Sequence, residues 1–233
     1  MSAPEEMALK VIAHIRSDFP SKFGIPRQSG LVDALKAEII FEPPYRNPDA
    51  FRGLEGYSHI WLIWQFSQAI RDHWSPTVRP PRLGGNARMG VFATRSPFRP
   101  NHIGLSCVRL EKVELHGTQG PILHVAGADL MDGTPIYDIK PYLPYTDAYP
   151  DAKGGFSFQQ KNGTLEVSFP PQLLDQIPAA QQKALLAVLA QDPRPAYQHQ
   201  PNRIYGMPYA DFEVRFTVDG NRLTVCGLTH RRS

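Results

Sequence analysis

The sequence predicts a mainly β chain: a small β-barrel with inserted short helices, then a small α+β C-terminal domain. Three observations carry this expectation. Gly104 to His116 and Ile122 to Leu130 are long β-rich runs, joined as a hairpin by His116-Gly117-Thr118-Gln119-Gly120. Asp211 to Val218 alternates cleanly and puts Phe212, Val214, Phe216 and Val218 on one face. A long helical pattern occurs at Pro178 to Gln191, with Leu185, Leu186 and Leu189 on one side. The 233 residues suit one domain and a smaller second one, with expected bounds of 1–145 and 160–233.

The other elements follow in order. Met7 to Arg16 reads as a first strand and Ala37 to Phe41 as a short second one. The intervening Pro, Gly and Ser content marks a loop, in which Pro26-Arg27-Gln28 sits between Gly24 and Gly30 as a plausible ligand rim. Asn47 to Gly56 is expected to be a short helix, capped by Asn47 with Pro48 in its first turn. Tyr57 to Phe66 is near-continuously apolar and reads as a strand buried on both faces, with His59 at its start. Asp132-Gly133 makes a tight turn into a strand at Thr134 to Ile139. Tyr145 to Gly163 is a polar linker, Thr164 to Phe169 a strand, and Leu223 to Leu228 the return limb of the last hairpin.

Composition narrows the function. The net charge is only +3, yet no acidic residue lies between Asp72 and Glu111, where six of the 25 basic residues stand, all arginine. So local an asymmetry points to a site for RNA or an anionic small molecule rather than to general polyanion coating. Arginine forks recognise planar oxyanions, and Gly84, Gly85 and Gly90 let backbone N–H groups approach a ligand. Val91, Phe92, Ile103 and Leu105 predict that this stretch is ordered. Cys107 and Cys226 give no disulfide framework, and there is neither a signal pattern nor an apolar run of membrane length. A reducing, cytoplasmic setting is expected. P-loop, GxGxxG and GxSxG patterns and metal-spaced Cys/His clusters are absent from the sequence, so no metal is expected.

Several strings together carry a resemblance: PRQSGLV, FRGLEGYSHIW, PTVRPPRLGGNARMGVFATRSPFRPNHIGLS, DGTPIYDIKPYLP and QDPRPAY. The chain resembles the TsaA/YaeB-like family from about residue 8 to its end. One departure stands out: the family's RPNPIG is here Arg99-Pro100-Asn101-His102-Ile103-Gly104. The resemblance implies a small β-barrel methyltransferase, similar to known homodimers. It would use S-adenosylmethionine to methylate the N6 nitrogen of N6-threonylcarbamoyladenosine at position 37, in the tRNA anticodon loop. Carried over residue by residue, the donor site would comprise Pro26, Arg27, Gln28, His59, Ile60, Arg88, Leu105, Asp132, Gly133, Thr134 and Pro135.

Chemistry adds further expectations. Asp132 suits the donor's cationic groups. A carbamoylated adenine nitrogen is a poor nucleophile and needs a proton acceptor; Asp138 is the candidate, with Lys140 or Tyr142 as alternatives. Arg95 or Arg99 would hold the threonyl carboxylate, and Phe98 or Tyr142 would stack on the flipped base. Arg194 and Tyr197 would contact RNA. Two competing readings are a non-catalytic tRNA-binding module that holds the donor or another anion, and a metal-dependent hydrolase using His59 and Asp132.

Overall fold

The structure is a computed structural model, and it describes residues 8–71, 73–80, 83, 87–157, 163–194, 200 and 203–231. Six strands close into a barrel: β1 (Ala13–Ser17), β2 (Lys36–Phe41), β3 (His59–Gln65), β6 (Ile103–Gly117), β7 (Gly120–Ala126) and β8 (Pro135–Pro141). Their spatial order is β1-β2-β7-β6-β3-β8, and every neighbouring pair is antiparallel. Two short strands, β4 (Thr77–Val78) and β5 (Met89–Gly90), pair on their own within the arginine-rich stretch. Closure removes exposed sheet edges, so the barrel needs no partner to satisfy its backbone.

The interior follows from period-two alternation. On β3, Ile60, Leu62 and Trp64 turn inward while His59, Trp61, Ile63 and Gln65 remain half-buried outside. The expectation of burial on both faces is therefore corrected: the outer face of β3 is only half covered, with Trp61 Nε1 donating to Asp147 Oδ2 at 2.8 Å. The hairpin of β6 and β7 is tighter than drawn from sequence, since Gly117 pairs directly with Gly120. The expected Asn47–Gly56 helix is instead two 3-10 turns, Pro48–Phe51 and Leu54–Gly56. Asn47 does cap the first, accepting from the Asp49 N–H at 3.0 Å, but Gly53 at φ 84° interrupts any continuation. In the arginine-rich stretch only Val91 of the four expected anchors is buried; Phe92, Ile103 and Leu105 are exposed.

A second core lies around the C-terminal strands. β10 (Tyr205–Tyr209), β11 (Phe212–Asp219), β12 (Arg222–His230) and the parallel edge strand β9 (Glu166–Ser168) form a sheet in the order β10-β11-β12-β9. All four predicted inward residues of β11 are buried. A helix, Ala179–Ala190, buries Ala184, Leu185, Val188 and Leu189, while Leu186 stays only partly covered. This core also takes Phe19, Val32 and Leu35 from the loop between β1 and β2. Two hydrogen bonds fix that loop: Gln181 Nε2 donates to Asp18 Oδ1 at 2.8 Å and Tyr209 Oη to Asp18 Oδ2 at 3.1 Å. Among the described residues, no helix is long and apolar enough to cross a membrane.

Candidate active site

Antiparallel closure brings the C-terminal end of β3 beside the starts of β6 and β8. A cavity of about 650 Å³ opens there. Its walls come from the β1–β2 loop (Ile25 to Gln28), from Gln65, Gly104, Leu105 and Thr134 at the strand ends, and from Thr94, Arg95 and Arg99. A second cavity of about 1300 Å³ shares Arg27, Gln28 and Arg95 with the first. It is lined by five arginines, Arg27, Arg71, Arg79, Arg88 and Arg95, and by no described carboxylate. The two thus form one apolar slot opening into one cationic basin.

Local contacts hold the walls. Arg95 Nη1 donates to Gln28 Oε1, joining the β1–β2 loop to the arginine-rich stretch. Arg99 Nη1 reaches the Thr94 carbonyl at 3.1 Å. The Arg71 guanidinium lies 3.6 Å from the Phe98 ring centroid, a cation–π contact. Trp74 and Phe92 stack with centroids 6.2 Å apart and both are exposed. His102, where the family pattern has proline, accepts from the Phe66 N–H through its carbonyl at 2.9 Å. A proline would supply the same acceptor.

At the cavity floor a buried chain of hydrogen bonds appears that the sequence did not announce. Trp64 Nε1 donates to Ser106 Oγ at 3.0 Å, and Ser106 Oγ donates to Asp129 Oδ1 at 2.6 Å. Burial pushes the Asp129 carboxyl above its ordinary value, opposed by its hydrogen bonds to Ser106 and the backbone and by the charge of Arg95. The Ile122–Leu130 strand expected from sequence hid this residue. The strand ends at Ala126, Gly127 turns the chain at φ 77°, and Asp129 swings to the cavity.

The structure divides the expected site residues. Pro26, Arg27, Gln28, Arg95, Arg99, Leu105 and Thr134 meet at the first cavity, and Arg88 and Phe98 line the second. Pro135 is buried at the start of β8, beside Thr134. Asp132 and Gly133 lie in the adjoining turn, where Asp132 Oδ1 accepts from the Ser17 N–H at 3.0 Å and so caps β1. Ile60 is fully buried inside the barrel. His59 and Tyr142 sit together at the opposite barrel end, with ring centroids 6.1 Å apart. Six strand steps from His59 to Gln65 amount to ~20 Å. Asp138 and Lys140 lie between the two ends, on β8, and pair with each other at 3.0 Å. One chain therefore does not bring Asp138, Lys140 or Tyr142 to its own cavity. Arg194 has its fork occupied by Asp192 at 2.8 Å and its side chain is only 9% exposed. Tyr197, Arg82, Gly84 and Gly85 lie outside the described residues.

Comparison with known proteins decides the family. The model for the N-terminal domain of tRNA-methyltransferase O matches residues 14–148, and that for the TrmO C-terminal domain matches residues 162–231. The chain belongs to the TrmO family. It is 44% identical to the tRNA (adenine(37)-N6)-methyltransferase of Escherichia coli K12, over 94% of this chain and 97% of that protein. It is 45% identical to a putative S-adenosylmethionine-dependent methyltransferase of Pseudomonas aeruginosa, covering 88% and 90% of the two chains. The crystal structure of TrmO from Pseudomonas aeruginosa superposes with a TM-score of 0.78 at 35% identity, covering 97% of this chain and all of that one. TrmO membership, through both domain models, accounts for the closed barrel and for the second core around the C-terminal strands.

Proposed function

We propose that this TrmO-family chain is an S-adenosylmethionine-dependent methyltransferase acting on the N6 nitrogen of N6-threonylcarbamoyladenosine at tRNA position 37, in the cytoplasm. The observation that carries it is the junction of the two cavities. A pocket of about 650 Å³ with an apolar wall is of the size small cofactors occupy. The arginine basin beside it suits a polyanion with splayed bases, and the exposed Trp74–Phe92 stack offers an aromatic face. Pro26, Arg27, Gln28, Leu105 and Thr134 would hold the donor, and Arg95 or Arg99 the threonyl carboxylate. The barrel unit, 1–145, carries the chemistry, and the unit at 160–233 helps seat the tRNA.

Two copies act together in this reading. Support comes from the partition of the expected donor residues between barrel ends, with His59 at the end opposite the cavity that Pro26, Arg27 and Gln28 line. His59, Asp138, Lys140 and Tyr142 would then serve a site across the interface. The test is direct. Purified protein, S-adenosylmethionine and tRNA bearing threonylcarbamoyladenosine should give a nucleoside one methyl heavier by mass spectrometry. Product on tRNA lacking the threonylcarbamoyl group would remove the arginine–carboxylate part of the reading. Donor binding without product on either tRNA would leave a binding module.

A further inference from the structure

We propose that Asp129 is the proton acceptor for methyl transfer, taking the N6 proton of the target adenosine at the floor of the barrel-end cavity. This rests on the methyltransferase reading above. It assigns a role to a residue that neither the sequence pattern nor the likeness to the family singled out.

The first argument is elimination by chemistry. Among the described residues lining this cavity, Asp129 is the sole carboxylate, and none is His, Cys, Tyr or Glu. The other ionisable groups there are Lys22, Arg27, Arg95 and Arg99. Arginine has no acceptor atom, and a lysine ammonium has none either. Within one copy, a proton leaving a nitrogen held in this slot has one anionic destination among the described lining residues.

The second argument is preorganisation. Trp64 and Ser106 are buried on the inner face of the barrel, and their hydrogen bonds pin the Asp129 carboxylate through Oδ1. The loop that carries Asp129 is tied in turn to the donor-side rim: the Gly30 N–H donates to the Gly127 carbonyl at 2.9 Å, and the Gly127 N–H to the Leu35 carbonyl at 2.9 Å. A carboxylate fixed by a rigid barrel wall can meet a substrate without reorganising. Burial also makes this carboxyl a stronger base than an exposed one, the direction a weakly acidic N–H requires.

The step balances. The N6 lone pair forms a bond to the methyl carbon. The carbon–sulfur bond breaks, and its electron pair stays on sulfur, which passes from sulfonium to neutral thioether. The N6 proton moves to the Asp129 carboxylate and is lost to solvent when products leave. No oxidant or further reactant is needed.

The experiment measures single turnovers at saturating S-adenosylmethionine on threonylcarbamoyladenosine-bearing tRNA. It compares wild type, Asp129→Asn and Ser106→Ala. Product from the wild type establishes the reaction itself, and its absence would sink the methyltransferase reading rather than this assignment. Asp129→Asn is expected to lose at least about 100-fold in rate, with S-adenosylhomocysteine and tRNA binding unchanged by calorimetry. Ser106→Ala removes a donor from the ionised carboxylate, so its acid limb of rate against pH should move to higher pH. Arg27, Arg95, Arg99 and Lys22 are the other charged groups that face the same cavity. Retained turnover in Asp129→Asn would overturn the assignment, as would a rate loss that merely tracks lost donor binding. An unmoved pH profile in Ser106→Ala, with only a lower melting temperature, would make Asp129 a structural brace and overturn it too.

Discussion

Asp18 and Asp129 are the same chemical object in two settings. Each carboxyl is raised by burial, and each accepts hydrogen bonds from side chains of a packed core. Asp18, half-buried in the β1–β2 loop, faces the C-terminal sheet and helix, where Tyr209 and Gln181 hold it, and lines neither cavity. Asp129 has core on one side, through Ser106 and Trp64, and cavity on the other. The pair teaches that burial and a perturbed carboxyl do not distinguish a site from a joint. Access to a ligand does.

The largest expected effect breaks the symmetry between them. Asp129→Asn should cut turnover by about 10²–10⁴-fold, read by the single-turnover rate, while leaving the melting temperature near wild type. Asp18→Ala should do the reverse. It leaves the buried Tyr209 hydroxyl and the Gln181 amide without their acceptor, which costs about 1–3 kcal/mol. Urea titration measures that loss, and the rate per folded molecule should be retained. A loss of both properties in both variants would show that the joint and the site are one coupled unit.

A second substitution sharpens the contrast from the barrel side. A Cβ on Gly104 would sit 2.3 Å from the Trp64 ring. That ring is packed inside the barrel and cannot yield as a flexible side-chain end would. Gly104→Ala should therefore cost about 1–3 kcal/mol by overpacking and should also slow turnover, because a displaced Trp64 releases Ser106. Its signature is stability and rate falling together, the combination neither aspartate variant gives alone.

Much of the frame was legible because alternation is a local signal. Phe212, Val214, Phe216 and Val218 fall on one face at a spacing of two, and one core exists to receive them. The arginine-rich stretch was equally plain as a charge anomaly, and Arg79, Arg88 and Arg95 of it do line the basin. What sequence could not show is which strand ends barrel closure gathers. The starts of β6 and β8 meet the end of β3 only through ladder register, a long-range property. Asn47 was read as a cap and is one, yet Gly53 in the left-handed region stopped the helix behind it. Gly127 did the same to β7 and thereby delivered Asp129, a residue that looks in sequence like the polar tail of an apolar run. In both cases a single positive φ overruled the periodicity on either side of it.

The smallest expected effect is on the pH dependence of stability, and its sign tests the comparison at its root. Asp18 has its folded value raised, first by burial and then by the charges of Asp211 and Asp132, against the lowering hydrogen bonds of Tyr209 and Gln181. As pH rises past the ordinary carboxylate value, the unfolded chain loses the proton before the folded chain does. The folded state binds more protons in that window, so stability from this group is greatest at low pH and falls as pH rises through the folded value. Asp129 contributes a slope of the same sign, since its carboxyl is also raised. Asp18→Asn and Asp129→Asn should each flatten the fall in unfolding free energy across that window, measured by urea titration at a series of pH values. Only Asp129→Asn should also remove the acid limb of turnover, because only there does the proton that titrates face the reaction.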